Sequence, residues 1–309
     1  MKTKKIIGLG IIMLAVFALG FTSCKKDKNK NVDTASMQQL IADENKMATS
    51  DDDAMNDVNN VLSGSTGKAL MSPPCNVTVD SSTIIGDTII YNITFNGLNC
   101  AGTRNRTGQA QVKKNINTHW VDVGAVVYVK YINVLFTRVS DGKSLTLNGT
   151  KKFENVSGGR IADLGTTATS IVHRASGALV ATFDDNTTRT WNLTRQRTFT
   201  GTLGNLYMAV DGFGSADGYS SLVAWGTNRN GETFYTQITQ SVIHKEACGW
   251  DPCAGVKVHS IPGDNKKATF TGGYDSNDQA VDVNGSVCAT KYRIDWEKNG
   301  NSGTLYRFL

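Results

Sequence analysis

The sequence predicts an all-β protein: a large antiparallel meander that forms a β-sandwich or a curved open sheet, preceded by one or two short N-terminal helices. Two observations support this prediction. From residue 73 to residue 309 the chain is rich in Thr, Val, Ile, Tyr and Phe, which strands favour. Dipeptides typical of tight hairpins separate these runs, and no helical segment connects two of them, so most strands must be joined by antiparallel hairpins.

The pattern also places individual strands and turns. The predicted strands are Val77–Val79, Thr88–Phe95, Val121–Thr137, Leu179–Phe183, Thr187–Thr200, Leu222–Thr227 and Glu232–Ile243. The hairpin dipeptides are Asn96-Gly97, Asp141-Gly142, Asn148-Gly149, Asn230-Gly231, Asn284-Gly285 and Asn299-Gly300. Thr88–Phe95 alternates as a half-buried strand does. Val121–Thr137 is apolar on both faces, which predicts a central strand covered on both sides.

Residues 35–63 have the periodicity of a helix. Apolar side chains recur there at helical spacing between Met37 and Leu62. Ser50 can cap a second segment, because the three aspartates that follow it suit the positive end of a helix, and Gly64 can end that segment. The region therefore predicts one or two short helices that pack on the β domain (73–309) or stay partly frayed.

The first 23 residues have the pattern of a secretory signal peptide. Three lysines precede an apolar run from Ile6 to Phe21, which is shorter than the about 20 residues that span a bilayer. The run ends in Thr-Ser-Cys24, and the chain then becomes polar. A cysteine at this junction predicts a bacterial lipoprotein that is acylated, with palmitate or a similar chain, on Cys24. Because Phe21 stands where a small aliphatic residue is usual, ordinary cleavage after Gly20 is the alternative.

This N-terminus predicts a lipid-anchored protein of the outer membrane. Two or three acyl chains anchor a protein stably, and the polar residues 24–34 would form a solvated tether. Lys25, the residue after Cys24, is not an acidic residue of the kind that acts as a retention signal, which favours the outer membrane as the destination. The sequence does not decide between the periplasmic and the surface face of that membrane. Removing residues 1–23 takes away three lysines and no acids, so the net charge falls from +5 to 5 − 3 = +2. That charge gives no reason to expect binding to nucleic acid.

Five cysteines remain for the β domain, and a compartment outside the cytoplasm favours their pairing. Cys75 precedes the first strand and Cys100 follows the strand that returns, so we predict a Cys75–Cys100 disulfide at one end of this hairpin. Cys248 and Cys253 are close enough for a local disulfide, which is a possible second pair. Cys288 should lie at the opposite end of the sheet from Cys253, because a third strand separates them.

The predicted strand Thr187–Thr200 carries an unusual stripe. One face is mostly threonine, and the other presents Arg189, Trp191, Arg195 and Arg197. This stripe is a possible binding face, although a solvated or salt-bridged surface has the same pattern. The tryptophans and the many Asn and Thr residues would suit glycan binding, and they would equally suit a β core.

No catalytic or metal-binding grouping is recognisable in the sequence. The four histidines are isolated, and Cys248 and Cys253 do not have the spacing of a zinc or redox motif. A glycosidase needs two paired carboxylates, which the spacing of the five glutamates does not indicate; Glu232, beside a hairpin turn, is the residue on which an enzyme hypothesis would rest. The sequence predicts no cofactor and no metal.

A set of short motifs extends from about Cys75 to about Gly285. They are Cys75-x-Val77-Thr78-Val79-Asp80 with Cys100, Thr103-Arg104-x-Arg106-x-Gly108, Thr188-Arg189-Thr190-Trp191-Asn192 with Arg195-x-Arg197-Thr198, Gly226-Thr227-Asn228-Arg229-Asn230-Gly231 and Cys248-x-Trp250. With these motifs the chain resembles a group of uncharacterised cell-envelope lipoproteins of Bacteroidota-type bacteria. The resemblance implies the fold and the location, and it implies no activity. Similar chains carry a second late cysteine near residues 275–277, which this chain lacks.

The function that these observations predict is a non-catalytic binding or structural module on an envelope or cell-surface lipoprotein. Its expected contacts are a membrane, through the lipid, and a glycan or an envelope protein. An enzyme acting on polysaccharide is the alternative.

Overall fold

The structure, a computed structural model, describes residues 34–64 and 74–309. One helix and fifteen strands make up most of these residues, which confirms the all-β class with an N-terminal helix. The predicted signal peptide (1–23), Cys24 and the tether up to residue 33 lie outside the described residues.

The helical region forms one continuous helix, α1 (Ala35–Gly64), of 30 residues. Ser50, which the sequence suggests as a cap, lies in the middle of α1 and is buried. The helix continues through the three aspartates after Ser50 because cations and hydrogen-bond donors of the sheet approach them there. The contacts described below compensate for the weak helix propensity of aspartate.

The strands alternate with short turns along the chain. They are β1 (Val77–Ile85), β2 (Thr88–Leu98), β3 (Arg104–Asn115), β4 (Ala125–Arg138), β5 (Ser144–Asn155), β6 (Ser170–Phe183), β7 (Thr188–Thr202), β8 (Asn205–Gly212), β9 (Gly214–Ala216), β10 (Tyr219–Thr227), β11 (Thr233–Lys245), β12 (Pro252–Ile261), β13 (Lys266–Tyr274), β14 (Lys291–Lys298) and β15 (Asn301–Phe308). Three short 3-10 helices lie at Ile161–Asp163, Glu246–Cys248 and Pro262–Asp264.

All fifteen strands belong to one antiparallel sheet, so the curved open sheet is correct and the β-sandwich is not. The order is that of a meander, β1 to β7 followed by β10 to β15. The short strands β8 and β9 lie off this path: β8 pairs with β7 and β11, and β9 pairs with β10. β1 and β15 each have one partner strand among the described residues, which makes them the edges of the sheet.

The sheet curves around α1. Thr49 of α1 accepts a hydrogen bond from Arg104 of β3, and Asn45, one turn earlier, accepts one from Lys257 of β12. Seven strand-to-strand steps separate β3 from β12, which is about 34 Å in a flat sheet. A helix about 10–12 Å wide contacts both strands only if the sheet wraps around it.

Bulges and glycines help the sheet to curve. β3 and β4 shift register between Thr107 and Gln109, where Gly108 has a positive φ of 110°. A Cβ at Gly108 would lie 2.2 Å from the carbonyl oxygen of Asn133, so only glycine fits this close approach. Bulges bend the strand that carries them and increase its twist.

The core lies between α1 and the concave face of the sheet. The C-terminal half of α1, including Met55 and Val58, belongs to the main apolar cluster, which draws residues from β1 to β8 and β10 to β12, and its first turns pack on β13 and β14 through Met37 and Ile41. The outer face is open to solvent, which corrects the expectation that Val121–Thr137 is covered on both sides. In β4, Val127 and Val129 are buried, whereas Tyr128 between them is 51% exposed.

One of the two expected disulfides is present and the other is not. Cys75 and Cys100 form the predicted disulfide, with their Cα atoms 5.1 Å apart. The possible Cys248–Cys253 disulfide is wrong: Cys248 pairs with Cys288, and Cys253 is a buried free thiol. Cys253 lies within β12, where its side chain faces the interior, whereas Cys248 and Cys288 lie in connections outside the strands.

Candidate functional site

The concave face of the sheet presents cations to the acidic residues of α1. Seven ion pairs link five buried cations of the sheet to the helix: Arg106 with Asp53 and Asp57, Lys151 with Asp51, Arg189 with Glu44, Arg195 with Asp51 and Asp52, and Arg197 with Asp52. Beyond the end of β10, Arg229 binds Asp43 of α1 and Asp185. We call this set the helix–sheet ion-pair network.

The stripe that the sequence singles out in β7 belongs to this network. Arg189, Trp191, Arg195 and Arg197 are each at most 4% exposed and face α1. The Trp191 indole donates a hydrogen bond to Glu44 Oε1 at 3.1 Å. Of the two interpretations, the salt-bridged surface matches the geometry, because the helix covers the stripe. An external partner would have to displace α1 to reach these four side chains.

Asp51 shows how the network fixes the position of the helix. It binds the ammonium of Lys151, and the Tyr131 hydroxyl donates a hydrogen bond to it at 3.0 Å. Burial lowers the pKa of Lys151 to about 8, although Asp51 opposes this effect. Removing one partner of a buried pair costs about 3–5 kcal/mol, because the other charge is then buried alone. The network therefore specifies one register of α1 in the sheet.

A cavity of about 750 Å³ is lined by one side of α1 and by residues of the surrounding strands and connections. We call it the groove cavity. Its α1 wall contains Gln39, Ala42, Asn45, Ala48 and Thr49. Charged residues from both flanks of the sheet surround it: Arg104, Arg138, Lys143, Asp184, Asp185, Arg229, Asp251 and Lys257. Volumes of about 300–1,000 Å³ are typical of small-molecule sites.

Aliphatic side chains form a second part of the wall. Val210, Val223, Ile238 and Val242 line the groove cavity from β8, β10 and β11, and each is at most 6% exposed. His244 lines it next to them and is held neutral: its Nδ1 lies 2.8 Å from the Trp250 carbonyl oxygen, and burial lowers its pKa to about 4. The groove cavity thus combines an alkyl surface with a charged border.

Lys257 differs from the other buried cations that face α1. Its side chain is buried, and its ammonium donates to the neutral amide of Asn45 at 3.1 Å. Among the described residues, no carboxylate lies within ion-pair distance of Lys257. Burial lowers its pKa to about 8, although the charges of Glu44 and Asp52 oppose this effect. The ammonium also lies 5.0 Å from the centroid of the Phe270 ring. An ammonium has three N–H donors, so one hydrogen bond to a neutral amide leaves donors for a further acceptor.

A smaller cavity contains Glu232, on which the enzyme hypothesis would rest, together with Tyr235 and Asp264. Lys266 binds both carboxylates. The pKa of Asp264 is lowered mainly by this hydrogen bond; that of Glu232 is lowered too, as bonds from Asn228 and Lys266 outweigh burial. A glycosidase needs one carboxyl group that stays protonated near neutral pH. This pair has the opposite property, and its geometry is that of a structural salt bridge.

The described residues contain no group of three or more His, Cys, Asp or Glu side chains that could hold a metal ion. Three of the four histidines are interior, and His119 is exposed. None of the five tryptophans is a strongly exposed side chain that could act as a stacking platform. Within residues 34–64 and 74–309, no helix is both long and apolar enough to cross a membrane.

The groove cavity was not foreseen from the sequence, and neither was the role of the acids in α1. A signal for the second did exist: Asp43, Glu44 and Asp51 to Asp53 recur in a segment whose apolar residues predict a buried face, and β7 carries a matching stripe of arginines. No signal for the groove cavity exists, because its wall is made of residues from six or more elements. Comparisons of the chain with protein families, with curated proteins and with solved structures found no match.

Proposed function

We propose that this chain is a lipid-anchored, non-catalytic binding module of the bacterial cell envelope, and that the groove cavity is its ligand site. The observation that supports binding is the cavity of about 750 Å³ beside a helix that ion pairs hold in place. A site between elements that cannot shift independently is preorganised, which reduces the entropy lost when a ligand binds.

The envelope location rests on the N-terminal sequence. Lys2, Lys4 and Lys5 precede the apolar run, and Cys24 stands where that run ends, as in a lipoprotein signal. The resemblance to Bacteroidota-type envelope lipoproteins supports the same proposal. The outer membrane is the proposed destination, and a glycan or an envelope protein is a proposed partner at the border of the groove cavity.

Protease treatment of intact cells, followed by mass spectrometry of the N-terminal peptide, tests the anchor. We expect a diacylated Cys24 as the first residue of the mature chain. If the protease removes the domain, the protein lies on the cell surface; if the domain is protected, it faces the periplasm. An N-terminus that begins after Gly20 without acylation would contradict the proposal.

A further inference from the structure

The alkyl part of the groove cavity favours an apolar ligand body. Val210, Val223, Ile238 and Val242 line it with methyl and methylene groups, and Ala48 of α1 lines the same cavity. Burying apolar area against such a wall contributes about 25 cal/mol per Å². A sugar, whose hydroxyl groups need hydrogen bonds, would lose hydration there without replacement.

Lys257 defines the charge of the ligand. Arg195, which lines the same cavity, is already paired with Asp52 at 2.5 Å, whereas the ammonium of Lys257 has the amide oxygen of Asn45 and the face of the Phe270 ring, 5.0 Å from the ring centroid, but no carboxylate among the described residues. The charges of Glu44 and Asp52 act on Lys257, but both carboxylates are engaged by arginines of β7. An added carboxylate would complete the coordination of a buried ammonium, and hydrogen bonds to charged groups are the stronger ones.

Apolar residues also stand at the border of the groove cavity. Phe308 is 71% exposed and Leu309 is 40% exposed, and both line it together with Gln39 and Ala42 of α1. Gln39 and Ala42 belong to the N-terminal half of α1. The apolar surface of the groove cavity therefore continues from its buried wall to an exposed border.

We propose that the groove cavity binds an aliphatic monocarboxylate such as a long-chain fatty acid, with its carboxylate on Lys257 and its hydrocarbon chain against Val210, Val223, Ile238 and Val242. This inference rests on the proposed function as a binding module and names the class of its ligand. The ligand is the free acid and not the acyl chain of a phospholipid, because esterification removes the charge that Lys257 would pair with.

Photolabelling of the full chain tests this inference. The purified protein, in phosphatidylcholine vesicles, is irradiated with a diazirine-bearing palmitate, and the labelled peptides are mapped by mass spectrometry. We expect label on β10 and β11, around Val223 and Val242. Palmitate should compete for this labelling, whereas methyl palmitate and the phosphatidylcholine of the vesicles should not.

Lys257→Met is the decisive variant, since it keeps the alkyl stem and removes the charge. Loss of the charged hydrogen bond should weaken labelling about tenfold. Replacing a buried ammonium with an apolar group of similar size should leave the fold intact. Lys130→Met is the matched control, because Lys130 is an exposed lysine of β4 on the outer face, and its labelling should equal that of the wild type.

Three results would overturn the inference. Equal competition by palmitate and methyl palmitate would show that the carboxylate is not recognised. Unchanged labelling of Lys257→Met would show that Lys257 does not bind the carboxylate. Label confined to residues outside the groove cavity would show that the site is elsewhere. Competition and the Lys257→Met variant test the class of ligand and leave the envelope location standing, whereas an unacylated Cys24 overturns the envelope location and not the fatty-acid site. Label confined to residues outside the groove cavity also counts against this cavity as the ligand site of the proposed function.

Discussion

Five buried cations of the sheet pair with acidic side chains of α1 across the interface between helix and sheet. Lys151 and Asp51 are each at most 1% exposed in their side chains and bind one another. Replacing such a pair with apolar residues is often neutral, whereas removing one member is costly. The pairs therefore contribute more to specificity than to stability, because another register of α1 would separate the partners and leave charges buried alone.

His173 is the buried residue whose titration should be easiest to observe. Its ring is surrounded by Trp120, Phe153 and Phe199, with centroids 5.2–5.6 Å away. Burial, assisted by the charge of Arg197, lowers its pKa to about 3. The folded state then binds fewer protons than the unfolded state between pH 3 and pH 6.5. Stability from this residue is present above pH 6.5 and is lost as the pH falls towards 3.

We predict that His173→Phe reduces the loss of unfolding free energy between pH 7 and pH 5 by about 2 kcal/mol. The phenylalanine cannot take up a proton, so the unfolded state no longer gains one. Urea unfolding at both pH values, followed by tryptophan fluorescence, measures this difference. The exposed His119 provides the control, and His119→Gln should keep the wild-type dependence. A full wild-type loss in His173→Phe would contradict a neutral, buried His173.

At the scale of elements, α1 depends on the sheet more than on its own propensity. Its middle contains Thr49, Ser50 and three aspartates, all of which are weak helix formers. Its first turn has no acidic residue and its last turn has no basic residue, so the helix dipole adds little. Buried apolar residues such as Met47, which is 0% exposed, supply the stability that helix propensity and the helix dipole do not.

We predict that Met47→Ala lowers the unfolding free energy of the whole domain by about 2–5 kcal/mol, since it leaves a cavity in the main core. The sheet should unfold in the same transition as the helix, because α1 lies within the core that both share. Denaturant unfolding followed by far-UV circular dichroism and by tryptophan fluorescence measures this. The exposed Gln39 of α1 is the control, and Gln39→Ala should change stability by no more than about 0.5 kcal/mol. Two separate transitions would argue that α1 is an independent element.

At the scale of the whole molecule, the described residues form one sheet that curves around one helix. The concave face of the sheet buries its apolar side chains against α1, so the outer face needs no second layer. The two disulfides lie in different parts of this sheet: Cys75–Cys100 joins the ends of β1 and β2, and Cys248–Cys288 joins the connection after β11 to the one before β14. The second bridge crosses β12 and β13, and it therefore holds together four neighbouring strands.

We predict that non-reducing peptide mapping finds Cys75–Cys100 and Cys248–Cys288, with Cys253 as the thiol that alkylates only after unfolding. Opening the second bridge with Cys248→Ser plus Cys288→Ser should destabilise the protein by up to about 4 kcal/mol, from the entropy of a loop of this length. Cys253→Ser is the control and should leave both bridges intact. A Cys248–Cys253 peptide would contradict the arrangement of β11 to β14.

The sequence alone determined the all-β class, the antiparallel connections, the helical segment and the Cys75–Cys100 bridge. Each of these depends on local patterns: alternation along a strand, turn dipeptides, helical spacing, or a hairpin whose two ends must meet. The proposed lipid anchor is likewise a local signal, carried by the residues around Cys24.

Only the tertiary structure decided what the Arg189–Arg197 stripe faces, which cysteine Cys248 binds and where a cavity lies. The physical reason is that alternation divides a strand into two faces but does not say which element covers either face. The curvature that brings β3 and β12 to one turn of α1 accumulates over seven strand steps, and no short segment encodes it. The groove cavity, with Lys257 in its wall, exists only as a result of that curvature.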